Sequence, residues 1–322
     1  MFTPFIFYII FIMEFIIALA IFIFVLIFYS QIMFQLKKGD DMEIYELDYT
    51  NNKELNDSAN LKQPFIFLFS NFDTYFKMTP LSKLIEDQGN FDIVLKETSD
   101  YHSNSPAKYS NTPLTLSAAS TLMKSDSEGK YYSANNAHFI IETNLFKQYK
   151  QIDAILQTPM CVSSNYDVII GSHGATTPLA YHTNERRFLY VIGGKVQVKM
   201  TPWRSNKYMV VDKDFTSPLN VWNPQEQYKS GFLKMKFLDF VVHPGHILYV
   251  PPFWFYSMQF EKDNRDIVIH QFDYGSVMNV ISNLPNLVQQ MYRKFAGPND
   301  GKKKIEQIRG TTFPLDPSFS FV

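Results

Sequence analysis

The sequence predicts an all-β core, a sandwich or barrel with flanking helices, carried behind one N-terminal transmembrane helix. Three observations predict it. The run from Phe5 to Leu36 is almost continuously apolar, short branched and aromatic runs follow one another from Tyr166 onward, and 322 residues suffice to bury a core without staples.

The apolar run is interrupted by Glu14 and the Ser30–Gln31 pair. As a helix it extends about 48 Å, against about 30 Å of hydrocarbon, so it tilts strongly or protrudes from the bilayer. A cleavable signal peptide fits less well. No Lys or Arg precedes the run, and eight apolar residues directly follow the cleavage-like "ALA" of Ala18–Ala20. Lys37 and Lys38 come straight after it, which by the positive-inside rule puts the soluble part on the cytoplasmic or mitochondrial matrix side. Glu14 has two readings. Either it sits at the headgroup boundary and the span runs from Phe15 to Phe34, or it lies within the membrane and pairs with a polar group of another helix.

Residues 39–63, mostly "DDMEIYELDYTNNKELNDSANLKQ", are polar and acidic and read as a linker. Pro64 opens "PFIFLFS", a buried strand by its aromatic and branched content, and the β domain is expected to span 64–290. Thr79 before Pro80 predicts a capped helix through about Asp87, ended by Gly89. "FDIVLKE" reads as a second strand, and Tyr101–Asn111, rich in Ser, Asn and Pro, as a surface loop. From Tyr166, "YDVIIGS", "FLYVIGG", "KVQVKMTPW", "HILYVPP", "WFYSMQF" and "DIVIHQFDYG" each show alternation or a branched and aromatic run between turn residues. "SVMNVISNLPNLVQQMYRKF" has helical character broken near Pro285, and residues 291–322 form a C-terminal extension with the solvated basic run "GKKKIEQIRG".

Composition narrows the function. Thirty basic against 31 acidic residues give a net charge of -1, and no basic stripe or nucleic-acid motif is present, so nucleic-acid binding is not expected. The single Cys161 excludes an internal disulfide and a cysteine-built zinc site. Aromatic residues at 16% beside only 19% charged residues leave apolar surface that calls for burial against partners. The sequence contains no phosphate-binding loop, nucleophile elbow, CxxC or dinucleotide fingerprint.

Three stretches carry a resemblance. "PFIFLFSNFDTYFKMTPLSKLIEDQGNFDIVLKE", "IIGSHGATTPLAYHTNERRFLYVIGGKVQVKMTPW" and "HPGHILYVPPFWFYSMQF" together resemble the JmjC and cupin-like hydroxylases, the group that includes the asparaginyl hydroxylases, over roughly residues 64–290. The resemblance implies a double-stranded β-helix, a jelly roll of eight strands, with Fe(II) and 2-oxoglutarate held in its mouth by two His and one carboxylate. It also implies which positions carry the ligands. "TPLAYH" occupies the family's "TPxHxD" pattern and Gly193-Gly194-Lys195 its "GxK" turn, so the first His becomes Ala180, the carboxylate becomes His182, and Lys195 stands where the cosubstrate's far carboxylate is bound. A shifted register makes His182-Thr183-Asn184 the "HxD", with Asn in place of the carboxylate, at the cost of an insertion and a deletion before Lys195. In "PGHILYVPPFWFY", His246 takes the place of the turn Asp and Tyr256 that of the last His ligand.

The expected site is therefore a degenerate one, with neither metal nor cofactor, in which Tyr256 plugs the cavity and Lys195 is left as a possible anion contact. His173, His182, His243, His246 and His270 all fall in the β region, but no HxH or HxxxH pair suggests a new metal centre. The expected function is a membrane-anchored, non-catalytic accessory or structural subunit of a membrane complex, held by other subunits and by lipid. A respiratory-chain or ATP synthase assembly in the mitochondrial inner membrane of a protist is the specific expectation. An active membrane-anchored 2-oxoglutarate hydroxylase is the alternative, and a pocket holding a peptide or small anion near Lys195 is a third.

Overall fold

The computed structural model describes residues 3–69, 78–102, 111–212, 214–262, 266–285 and 288, with side chains from residue 13 onward. The chain divides into a unit of Met1–Ser282 and a unit of Asn283–Val322. The described part of the second is limited to residues 283–285 and 288, so the expected basic extension lies outside it.

Helix α1, Thr3–Leu36, runs without a break, and its described residues are exposed until Gln31. Over Met13–Leu36 it is long and apolar enough to cross a membrane, a property it shares with signal sequences. Glu14 is one of its exposed residues.

The stretch expected to be a linker is structured. Strand β1, Tyr45–Leu47, pairs in parallel with β2, Phe65–Leu68, and helix α2, Asn52–Asn60, lies between them in sequence. Asn51 caps α2 by accepting from the Glu54 amide at 3.0 Å. Leu55 and Ala59, one turn apart, are buried, and Arg186 fixes the polar side through Asn56 at 2.7 Å. Polar composition concealed a helix that buries only one narrow stripe.

Helix α3, Leu81–Gln88, begins one residue later than expected: Pro80, not Thr79, occupies the cap position. Gln148 competes for the Thr79 hydroxyl and accepts its hydrogen bond at 2.9 Å. Strand β3, Asp92–Glu97, is followed by β4, Thr112–Thr115, and α4, Leu116–Ser125, whose cap is Thr115. Most of the expected surface loop between them lies outside the described residues. Strand β5, Tyr131–Ser133, and helices α5, Ala137–Glu142, and α6, Phe146–Leu156, complete this half.

The β-rich half holds β6, Cys161–Gly171; β7, Leu179–Ala180; β8, Arg186–Ile192; and β9, Val196–Thr201. After β10, Thr216–Ser217, and α7, Glu226–Phe232, come β11, Leu238–Val242; β12, His246–Val250; β13, Phe255–Phe260; and β14, Val268–Ser276. Helix α8, Val277–Ser282, follows directly. The strands form a nine-stranded sheet, β1-β2-β12-β8-β14-β6-β5-β3-β4, and a five-stranded sheet, β10-β7-β13-β9-β11.

Period-two alternation sorts the side chains into layers. In β8, Phe188 and Tyr190 join the cluster that contains Leu55, Leu84, Tyr149 and Ile152 of the helices, while Leu189 and Val191 join a second cluster with Val196, Val198 and Met200 of β9. The large sheet is thus buried on both faces, by helices on one and by the small sheet on the other. That explains why its strands read as continuous apolar runs. In β9, by contrast, Gln197 and Lys199 point away from the core, giving the clean alternation visible in the sequence.

Candidate functional site

Strands β7 and β13 pair at one register position, Ala180 opposite Tyr256. Two of the expected ligand positions are therefore cross-strand neighbours. His182 follows β7 by two residues and is tied to the same edge, because its carbonyl accepts from the Phe253 amide at 2.9 Å. Its Nε2 lies 3.0 Å from the Val250 carbonyl, which makes Nε2 the protonated nitrogen. The Pro251–Pro252 break turns the chain between β12 and β13, and Phe253 completes the turn at φ 65°. That left-handed conformation costs a non-glycine residue about 1 kcal/mol or more, which the packing of the Phe253 ring on Tyr181 and Trp203 holds in place.

The group that fills the space beside Tyr256 is Arg187, which the sequence did not single out. Its side chain leaves β8 on the same face as Leu189 and Val191, toward the small sheet. Nε and one terminal nitrogen each donate to Asp273 at 2.6 Å, and the other terminal nitrogen donates to the Tyr256 hydroxyl at 2.8 Å. Gln271 Nε2 donates to Asp273 at 2.9 Å. Arg187 and Asp273 are register partners on the large sheet, whereas Tyr256 belongs to the small one, so this network ties the two sheets together.

Burial disfavours the Arg187 charge, but Asp273 and Tyr256 more than offset it and the guanidinium stays ionised. Burial first, and then Asp273, raise the Tyr256 pKa against the opposing pull of Arg187, so the phenol is neutral. Burial, and next the Arg187 charge, hold His182 well below the ordinary histidine range. These residues do not fit an iron and 2-oxoglutarate. Ala180 has no donor atom, His182 spends Nε2 on a backbone carbonyl, and Tyr256 is a neutral phenol committed to a cation. Among the described residues, no three His, Cys, Asp or Glu side chains are placed to hold a metal ion.

Lys195 is not brought to this site. It is exposed in the turn between β8 and β9, where its amide donates to Glu261 at 3.1 Å. Tyr256 lies opposite Met200 and Phe260 opposite Val196, so Lys195 sits about 17 Å along the strand from the Tyr256 end. The other histidines also disperse. His243 and His246 share a turn, with ring centres 6.2 Å apart, and His270 faces the helices.

His270 carries a pH prediction. It contacts the Tyr149 hydroxyl at 2.6 Å and the Thr79 carbonyl at 3.1 Å, and burial pushes its pKa down to about 4. His270 and His182 are neutral when folded, and the unfolded chain takes up protons below about pH 6.5, so their stabilisation is full above that pH and is lost toward pH 4. Asp167, pushed up to about 6 by burial, works in the opposite sense and offsets part of the loss. His270 alone accounts for about 3 kcal/mol. The urea midpoint is expected to fall on acidification below pH 6.5, and His270→Gln to flatten that profile; an unchanged slope in the variant would remove His270 from the account.

The missed residues had a faint signal. Arg187, Leu189 and Val191, like Asp273, Gln271 and Ile269, share one parity, which places charged residues on an otherwise buried strand face. No family model matches this chain, and no curated protein matches it.

Proposed function

We propose that this chain is a membrane-anchored, non-catalytic relative of the JmjC and cupin-like hydroxylases, serving as an accessory or structural subunit of a membrane complex. The observation that carries this reading is the Arg187–Asp273–Tyr256 network, which joins the two sheets beside Tyr256 with a satisfied structural ion pair. The double-stranded β-helix part of the reading is supported by strand order. Strands β6-β14-β8-β12 of one sheet face β7-β13-β9-β11 of the other, so the chain passes repeatedly from sheet to sheet. The membrane part is supported by α1 and its exposed apolar surface.

A respiratory-chain or ATP synthase assembly of a protist mitochondrial inner membrane is the complex to examine first. Extracted from native membranes in mild detergent, the protein is expected to migrate with a large complex on a native gel. A monodisperse monomer would overturn the subunit reading. The purified full chain is expected to hold no stoichiometric iron and to release no succinate from 2-oxoglutarate; iron together with succinate would establish the hydroxylase instead.

A further inference from the structure

The last turn of α1 is clamped to the folded domain. Gln35 is buried, and its side-chain oxygen accepts from Asn279 of α8 at 3.3 Å. The Phe34 and Gln35 carbonyls accept from Lys62 Nζ, and the Lys38 ammonium stands 3.9 Å from the centre of the Trp203 ring. Helix α8 therefore lies beside the point where α1 leaves the bilayer.

The depth of that point follows from exposure. Ile27, Tyr29 and Met33 of α1 are each more than half exposed, so the hydrophobic effect draws the hydrocarbon up to Met33. Gln35 is then about 3 Å farther along the helix, inside a headgroup layer about 5–7 Å thick. Trp203 with Lys38 is the aromatic and basic chemistry that such a layer favours, on a separate element from α8.

At this depth the protein presents an apolar edge. Val277 and Ile281, one turn apart on the side of α8 opposite Asn279, are 37% and 39% exposed. Met160 is 74% exposed at φ 55°, and its carbonyl accepts from the Val277 amide at 3.3 Å. Met160 is therefore held by its backbone to the first residue of α8, with its flexible apolar side chain left exposed.

The geometry points to a second, peripheral membrane contact: Met160, Val277 and Ile281 insert into the boundary between headgroups and acyl chains of the same bilayer that α1 crosses. This rests on the reading that α1 spans the membrane. The occupant is lipid because the edge lies at headgroup depth and because Trp203 and Lys38 supply interfacial chemistry at the same exit. The domain is thereby fixed against the membrane at two places rather than swinging from a tether.

The test uses the full chain in phosphatidylcholine vesicles, with a fluorophore on single cysteines in a Cys161→Ser background. Ile281→Cys and Val277→Cys report on α8, Phe22→Cys on the middle of α1, and exposed Glu128→Cys on water. Nitroxide lipids labelled near the headgroup are expected to quench positions 277 and 281 severalfold more than 128, and deep acyl-chain nitroxides to quench 22. If 22 is quenched while 277 and 281 behave like 128, the lipid contact is wrong and α1 still spans. If 22 is not quenched by any lipid label, the spanning reading itself fails, and the proposal with it.

Discussion

Replacing Arg187 with Met lowers the unfolding free energy by about 3–5 kcal/mol, because it leaves the Asp273 carboxylate buried without its cation. The side chains of Arg187 and Asp273 are only 15% and 9% exposed, so water does not replace the lost partner. Gln271 still donates to Asp273, but one neutral amide does not compensate a buried charge. Removing both charges is a different experiment. In Arg187→Met with Asp273→Leu, no uncompensated ion remains, and the double variant is expected to recover most of the loss. Denaturant unfolding of the detergent-solubilised chain measures both. Equal losses in the single and double variants would mean that packing, not charge pairing, joins the two sheets there.

Replacing Lys62 with Met loosens the junction between α1 and the domain while leaving the core intact. Lys62 is 2% exposed, adopts φ 58°, and serves the last carbonyls of α1, where the helix dipole favours a cation. Burial lowers its pKa to about 8, with Glu185 opposing that shift, and it remains a donor to both carbonyls at neutral pH. Losing bonds from a charged donor costs about 3 kcal/mol, or about a hundredfold in the population of the undocked junction. Tryptic cleavage at Lys37 and Lys38 is therefore expected to accelerate about a hundredfold, with the unfolding midpoint of the domain little changed. An unaltered cleavage rate would show that the Asn279–Gln35 contact alone holds the helix.

The strands of the β half were legible because local pattern suffices there. β9 alternates in plain sight, and β8, β12 and β14 are buried on both faces because helices and a second sheet cover them. Helix α2 was hidden, since its buried stripe of Leu55 and Ala59 is diluted by seven other residues. The start of α3 was misplaced by one residue because a partner 69 positions away takes the Thr79 hydroxyl. The same limit applies to the site. Ala180 and Tyr256, picked out by their place in the sequence, do stand opposite each other across β7 and β13, but Arg187 and Asp273 are 86 positions apart and meet only through the register of β8 on β14. Lys195 shows the converse, a motif position whose side chain the turn leaves in solvent.

The clamp on the last turn of α1 also sets a compass bearing for the membrane. Glu14 and Gln35 lie on one unbroken helix, and at about 100° per residue their directions differ by only about 60°. Because Gln35 is locked against Asn279, the Glu14 carboxylate looks out over roughly the same quadrant as α8. Any helix that docks on Glu14 must approach from that side, and deleting one residue between the two would leave the acid about 160° from the Gln35 direction, facing away from such a neighbour.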